Sequence, residues 1–197
     1  MPEHLAPGPC GRCLRSPPPQ QVSESLYTYR DGPVRSALLD WKLHGRDAGV
    51  LWLLDAAESR LRDLFDPNSL LLPVPMPLSR MRRAGRHHGA DLCRAIAGRT
   101  GACTDWRLLR RNGVQPRQST LGGRQRWNNL RKAFVVNADY LREIAAGHGG
   151  AGMADTRLWV VDDIMTTGAT MHFACRALSR AGLKVNAFSL TRLATRG

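Results

Sequence analysis

The chain has 197 residues, 43% of them hydrophobic, which is enough to bury the core of one ordinary domain and excludes a fully disordered protein. No apolar run reaches the roughly 18–20 residues of a membrane span, and residues 1–20 lack an apolar signal segment, so we expect a cytoplasmic protein with no membrane partner. The formal net charge of +13 is concentrated between Arg80 and Lys132, where 14 basic residues face 2 acids, and this indicates polyanionic partners: phosphates, pyrophosphate or nucleic acid.

The first half of the chain changes from a proline-rich segment to alternating strand and helix patterns. Residues 1–25 show no periodicity, and we expect the globular domain to span 26–197. In chain order, the predicted elements are a strand at 26–30, a helix beginning at Pro33, a helix at 47–65, a strand at 69–74 and a helix at 89–96.

The second half continues the alternation after a polar region. The predicted elements are a loop at 107–118, a mobile loop or helix at 120–131, strands at 133–136 and 158–161, a glycine-rich loop at 145–154, a helix at 170–181 and a strand at 184–193. Strands that alternate with helices predict the α/β class, with a mostly parallel central sheet flanked by helices and a small hood region.

One segment carries most of the chemical information. Asp162 and Asp163 directly follow the buried strand at 158–161, at the end where open α/β sheets bind ligands. Two adjacent carboxylates can accept hydrogen bonds from the neighbouring hydroxyls of a diol. The segment therefore predicts a diol site at the rim of the sheet.

A short turn rich in threonine follows the two acids and leads into a helix. The first turn of a helix has N–H groups without intrahelical partners, and Gly168 allows a ligand to approach the backbone closely. Thr166, Thr167 and Thr170 add hydroxyl donors. Helix capping by Asp163 or Thr166 is the alternative, but a cap needs only one such residue. A phosphate site beside a diol site predicts a ribose 5-phosphate.

This segment resembles the phosphoribosyl pyrophosphate (PRPP) motif of type I phosphoribosyltransferases, apart from Trp159, where that superfamily prefers an aliphatic residue. The resemblance implies that Asp162 and Asp163 hold the ribose hydroxyls. It also implies that the turn holds the 5-phosphate, through Thr166, Thr167, Gly168, Ala169 and Thr170. Mg²⁺ would bind together with PRPP, held mainly by the substrate and by no direct protein ligand.

A longer match resembles the ComF family of amidophosphoribosyltransferase-like bacterial competence proteins. It comprises Tyr29-x2-Gly32-Pro33, Lys42, Gly45, Pro73-Val74-Pro75-Met76-Pro77-Leu78 and Gln118-x2-Leu121-x4-Arg126-x2-Asn129-x3-Ala133-Phe134. The resemblance implies a role in DNA uptake or DNA utilisation, with single-stranded DNA and other competence proteins as partners. The basic region from Arg80 to Lys132, interleaved with Trp106 and Trp127, suits a single strand through charge and stacking, although core packing is the more common role of such tryptophans.

The resemblance also assigns the pyrophosphate end of the substrate. The predicted loop at 75–83 follows the first core strand, where the superfamily keeps its pyrophosphate loop, and Pro75 and Met76 lie at its start. Arg80 would neutralise the departing pyrophosphate, and Arg126 would close over the site from a mobile hood at 110–131. We therefore predict Asp162, Asp163, Arg80 and Arg126 as catalytic residues.

Two departures from the family pattern change what is expected. ComF proteins usually begin with a four-cysteine zinc ribbon, but only Cys10 and Cys13 are present here, and two thiolates cannot complete a tetrahedral zinc site. We expect no bound zinc, and we interpret Cys93, Cys103 and Cys175 as packing residues. The family's usual Arg-Gly-Phe-Asn-Gln run is replaced by Ala-Gly-Arg-His-His, and we interpret His87 and His88 as a solvated pair, with phosphate contact as the alternative.

Three functions use these residues. The first is a PRPP-binding ComF-type protein that acts on DNA. The second is a nucleobase-salvage phosphoribosyltransferase, a Mg²⁺-dependent pentosyl-transferring enzyme. The third is a non-catalytic module that senses PRPP. We favour an enzyme, whose acceptor nucleophile the sequence does not specify.

Overall fold

The computed structural model describes residues 17–112, 130–147 and 155–193. The strands are β1 (Ser23–Tyr29), β2 (Ser69–Pro73), β3 (Cys103–Thr104), β4 (Leu109–Arg111), β5 (Phe134–Val136), β6 (Arg157–Met165) and β7 (Val185–Leu193). The helices are α1 (Pro33–His44), α2 (Ala48–Ala56), α3 (Glu58–Leu64), α4 (Leu78–Ala84), α5 (His88–Thr100), α6 (Ala138–Gly147) and α7 (Ala169–Arg180).

Five strands form a parallel sheet in the order β1-β7-β6-β2-β3. Strand β6 lies in the middle and pairs Val161 with Phe188 of β7 and with Pro73 of β2. Helices cover both faces of this sheet, so the predicted α/β class with a mostly parallel sheet is confirmed. The short β4 and β5 form a separate antiparallel pair.

The two faces of the sheet carry separate apolar cores. On one face, helices α1, α2, α3 and α5 pack against Leu71, Trp159 and Phe188. On the other face, α7 and the β4–β5 pair pack against Leu72 and Val160. Because β6 contributes to both cores through alternate residues, its position and its direction are fixed from both sides.

Helix α1 is held close to its neighbour α2. Pro33 occupies its first turn, as predicted, and Gly45 ends it in the left-handed conformation with φ of 68°. A Cβ atom on Gly49 of α2 would lie 2.8 Å from the Cβ of Ala37, so a glycine is required for this approach. The contact fixes the distance between α1 and α2.

Several predicted elements are corrected by the structure. The single helix expected at 47–65 is two helices, because the Ala57 N–H bonds back to the Leu54 carbonyl at 3.2 Å and closes α2. The expected loop at 107–118 contains β4, which pairs with β5, and the loop expected at 75–83 becomes helix α4 from Leu78. The glycine-rich loop expected at 145–154 begins inside α6, which the sequence prediction omitted together with β3.

None of the described helices is long and apolar enough to cross a membrane.

Candidate functional site

Strand β6 extends beyond the end of its neighbour β2. Its pairing with β2 stops at Val161, whereas its pairing with β7 continues to Met165 opposite Arg192. Asp162 and Asp163 therefore lie within β6, and not after it as the sequence prediction had it. The two acids therefore lie beyond the last pair between β6 and β2, beside the segment that follows β2.

Asp163 forms an ion pair with a lysine of helix α1. Its Oδ2 atom lies 2.8 Å from Nζ of Lys42, in the last turn of α1. The side chains are 13% and 29% exposed, respectively, so the pair is largely shielded from bulk water. The Asp163 carbonyl also accepts a hydrogen bond from the Thr191 hydroxyl at 3.2 Å. Sequence analysis matched Lys42 to the family pattern without giving it a role, and only the chain's fold brings it to the acids.

The pKa of Asp162 is raised above its usual range. Burial and the neighbouring charge of Asp163 raise the pKa of Asp162 to about 7, while the Asp163 N–H, Lys42 and Arg80 act in the opposite direction. One Asp162 oxygen accepts the Asp163 N–H at 2.9 Å. Asp162 is therefore a carboxyl whose charge depends on pH near neutrality and on the cations around it.

The turn after β6 presents backbone donors toward the same end of the sheet. Thr166 and Thr167 are exposed, and Gly168 has φ of 70°, which favours glycine over any other residue. The Ala169 N–H makes a long bond of 3.4 Å to Oγ1 of Thr167. Among the described residues, no hydrogen-bond partner is assigned to the N–H groups of Thr167, Gly168 or Thr170. Helix α7 has 12 residues, so its N-terminus adds a partial positive charge here.

The segment after β2 adds a second wall. Pro75 and Met76 are half-buried in the turn that joins β2 to α4, and Arg80 is exposed on α4. The charge of Arg80 lowers the pKa of Asp162, so this arginine lies within electrostatic range of the acids. The segment that follows β2 therefore brings Pro75, Met76 and Arg80 to the edge of the acids where β2 has ended.

His87 and His88 are not the solvated pair that the sequence analysis favoured. His87 is half-buried, and its Nδ1 accepts the Ala90 N–H at 3.1 Å, which caps helix α5. His88 is 5% exposed and stacks edge-on against Trp41 at 4.8 Å. Within the described ranges, the buried Nε2 of His88 has no hydrogen-bond partner. Burial lowers the pKa of both rings, so both are neutral at physiological pH.

For the other predicted residues, the structure confirms some predictions and contradicts others. Cys93 and Cys175 are buried, as expected of packing residues, but Cys103 is exposed. Trp106 is 74% exposed, so the core role that we considered more common is wrong for it. Cys10, Cys13, Arg126 and Trp127 lie outside the described residues. The described part of the chain contains no group of three His, Cys, Asp or Glu side chains that could hold a metal ion.

A basic groove lies between the C-terminal half of α7 and strand β5. Its volume is about 310 Å³, and the described residues of its lining include three arginines and no acid. Sequence analysis placed Arg131 in the basic region but missed the other two, which α7 brings to the same groove. Among the described residues, its lining consists of Arg131, Phe134, Val135, Val136, Phe173, Arg176, Ala177 and Arg180.

Comparison with known proteins adds a functional context. The chain is 28% identical over 182 residues to the DNA utilization protein YhgH of Salmonella typhimurium, and 26% identical over 180 residues to the protein of that name in Escherichia coli strain K12. Each match covers 88% of this chain and 73% of the relative. No protein-family model matches the sequence.

Proposed function

We propose that the chain binds PRPP at the end of β6 and acts as a phosphoribosyltransferase-like protein in DNA utilisation. The observation that supports this most directly is the juxtaposition of Asp162 and Asp163 with the backbone donors that follow Met165. The same arrangement is predicted from the sequence for a ribose 5-phosphate, and the pairing between β6 and β2 stops at Val161, just before the two acids.

The two ends of the sugar would use different groups. The carboxylates of Asp162 and Asp163 accept hydrogen bonds from the ribose 2- and 3-hydroxyls. The 5-phosphate binds at the turn, against the N–H groups of Thr167, Gly168 and Thr170 and the hydroxyls of Thr166 and Thr167. A side chain at position 168 would reduce this approach and strain the backbone.

The pyrophosphate end would extend toward β2 and α4. Two donors on this side are the Met76 N–H, which faces His87 Nε2 at 3.4 Å, and the exposed guanidinium of Arg80. Mg²⁺ would bind together with PRPP, held mainly by the oxygens of the substrate and by no direct protein ligand. When bound, this ion would supply charge neutralisation at the pyrophosphate.

In the reaction, the bond from ribose C1 to the pyrophosphate oxygen breaks and its electron pair leaves with pyrophosphate. A nucleophile forms the new bond at C1 and loses its proton. The contribution of this chain is to hold the ribose by Asp162 and Asp163, to fix the 5-phosphate at the turn, and to stabilise the leaving group through Arg80. Arg126 stays a predicted partner in that last role.

Calorimetry with PRPP and Mg²⁺ tests the proposal. We expect wild type to bind PRPP and Asp163→Asn to bind at least tenfold more weakly, because one ribose acceptor is lost. Asp31→Asn is the matched control, since the Asp31 side chain is 95% exposed and pairs with the exposed Arg35 of α1. Absence of PRPP binding by the folded wild type would contradict the proposal.

Turnover separates the enzymatic alternatives. Pyrophosphate release that depends on one added nucleobase would favour a salvage phosphoribosyltransferase. PRPP binding without release for any purine or pyrimidine would favour a sensing module. The same wild-type preparation should be used for both assays, so that binding and catalysis are measured on one sample.

Binding of single-stranded DNA is the second candidate function. The relatives are named for DNA utilisation, and the basic groove has three arginines with no acid among its described lining residues. Arg176 and Arg180 are 7 and 11 residues into α7, roughly 10–16 Å along the helix axis from its N-terminus. A strand in the groove would therefore leave the sugar-phosphate site open.

A salt series with an oligonucleotide tests this function. We expect affinity to fall steeply with salt, and Arg176→Glu/Arg180→Glu to bind at least tenfold more weakly with a shallower salt dependence. Arg60→Glu/Arg62→Glu on α3 makes the same charge change at exposed arginines away from the groove and should have a much smaller effect. Equal losses in the two double variants would assign the binding to net charge alone and contradict a specific groove.

A further inference from the structure

The His87 ring faces two backbone N–H groups. Its Nδ1 lies 3.1 Å from the Ala90 nitrogen, inside the first turn of α5, and its Nε2 lies 3.4 Å from the Met76 nitrogen. Both N–H groups point at the ring nitrogens as donors. The ring therefore joins α5 to the segment that follows β2.

A histidine cannot satisfy both of these donors. A neutral imidazole has one nitrogen that accepts and one that donates, and an imidazolium has two donors and no acceptor. The contact with Ala90 is the shorter one and caps the helix, so Nδ1 is the accepting nitrogen. Nε2 then carries the proton, and it faces the Met76 N–H as a second donor. Two donors that face each other at 3.4 Å repel, and an acceptor that binds beside both of them would relieve this repulsion.

We propose that the Nε2–H group of His87 and the N–H group of Met76 together bind one oxygen of the pyrophosphate moiety of PRPP. The inference rests on the proposed function and adds a binding residue to it. A phosphate oxygen can accept both hydrogen bonds, so its arrival resolves the conflict between the two donors. The same ring keeps its Nδ1 bond to Ala90, so the helix cap is retained.

The surroundings hold the ring in this position. A Cβ atom at position 89 would lie 3.4 Å from both Pro73 Cβ and His87 Cε1, which shows how closely the first turn of α5 approaches the end of β2. The charge of Asp163 also acts on the ring. His87 is therefore close to the end of β2 and within electrostatic range of Asp163, on the side where the pyrophosphate would extend.

A variant that keeps the cap and removes the distal donor isolates this role. His87→Asn retains a side-chain acceptor for the Ala90 N–H but is too short to present a donor where Nε2 lies. His44→Asn, at the exposed end of α1, is the matched control. The probes are PRPP with Mg²⁺, pyrophosphate with Mg²⁺, and ribose 5-phosphate, each measured by calorimetry.

We expect His87→Asn to weaken PRPP and pyrophosphate binding about tenfold and to leave ribose 5-phosphate binding unchanged. In wild type, nitrogen NMR of the labelled ring should show His87 with the proton on Nε2, and the Nε2–H signal should move when pyrophosphate is added. His44→Asn should match wild type with all three probes.

The outcomes are separable. If folded wild type binds neither PRPP nor ribose 5-phosphate, both the proposed function and this inference are overturned. If wild type binds PRPP and His87→Asn binds it equally well, only this inference is overturned. A weakening of ribose 5-phosphate binding equal to that of PRPP would also overturn it, because His87 would then act through the structure of the whole site. A proton found on Nδ1 in the complex would have the same consequence.

Discussion

Lys42 and Asp163 form an ion pair of 2.8 Å that joins the last turn of α1 to β6. Both side chains are largely shielded from water, so each charge depends on the other. The pair connects the helix that the Gly49–Ala37 contact fixes to the strand that carries both acids. The position of the acids is therefore coupled to the packing of α1 and α2.

The first prediction concerns this pair. Lys42→Met should lower the free energy of unfolding by about 1–3 kcal/mol, because it leaves the Asp163 carboxylate partly buried without its partner. Asp163→Asn added to Lys42→Met should recover part of this loss. A double-mutant cycle in urea measures the coupling. Strictly additive effects of the two changes would show that the pair contributes nothing to stability.

The second prediction concerns the pH dependence of stability. Burial and Asp163 raise the pKa of Asp162 to about 7, so the folded protein holds this proton more tightly than the unfolded chain does. Stability from this group is present in full below about pH 4 and is lost as the pH rises toward about 7. Between pH 5 and pH 8, wild type should lose about 1–3 kcal/mol more than Asp162→Asn. Parallel stability profiles for the two proteins would contradict the assignment.

The third prediction compares the same substitution at two glycines. Gly168→Ala should lower the free energy of unfolding by about 1 kcal/mol, because φ of 70° is unfavourable for alanine. It should also weaken PRPP binding, because the backbone of the turn must shift. Gly98→Ala, within α5 and with open space around the new methyl group, should instead stabilise the protein by about 0.5–1 kcal/mol. Thermal unfolding and PRPP calorimetry of both variants test the opposite signs.

The fourth prediction concerns the core under β6. Phe65 is 1% exposed, and its ring makes edge contacts with Trp159 at 5.0 Å and Phe188 at 5.1 Å. Phe65→Ala should cost about 3–5 kcal/mol, because it leaves a cavity between two rings. Trp52→Ala, at a side chain that is 65% exposed, should change stability by less than about 0.5 kcal/mol. Similar losses in both variants would show that this cluster is not the centre of the core.

The fold was predictable where the sequence pattern is strong. The structure confirms the buried strand before Asp162 and the helix that begins at Pro33. Both were predictable because an apolar run and a proline act on the residues next to them. The break at Ala57 was not predictable, since its 3₁₀-type bond follows from the need to bury Leu61 and Phe65 against the sheet. Strand β4 was missed because it exists only through its pairing with β5.

The site was predictable only in part, for a similar reason. Asp162, Asp163 and the turn are consecutive in sequence, so their spacing alone indicated a ligand. Lys42 and His87 come from separate elements, and their contacts arise from tertiary packing. A pair of adjacent histidines also gives no information about which ring nitrogen faces which donor.

The strand order has a consequence for synthesis of the protein. In the described sheet, β1, the first strand along the chain, pairs with β7, the last one, and β2 pairs with β3 on one side but with the much later β6 on the other. Such long separations between partners slow folding and leave strand edges uncovered while the ribosome is still translating. A chain that stops before Val185 cannot complete the sheet, so even a short C-terminal truncation should leave the whole domain prone to aggregation or proteolysis.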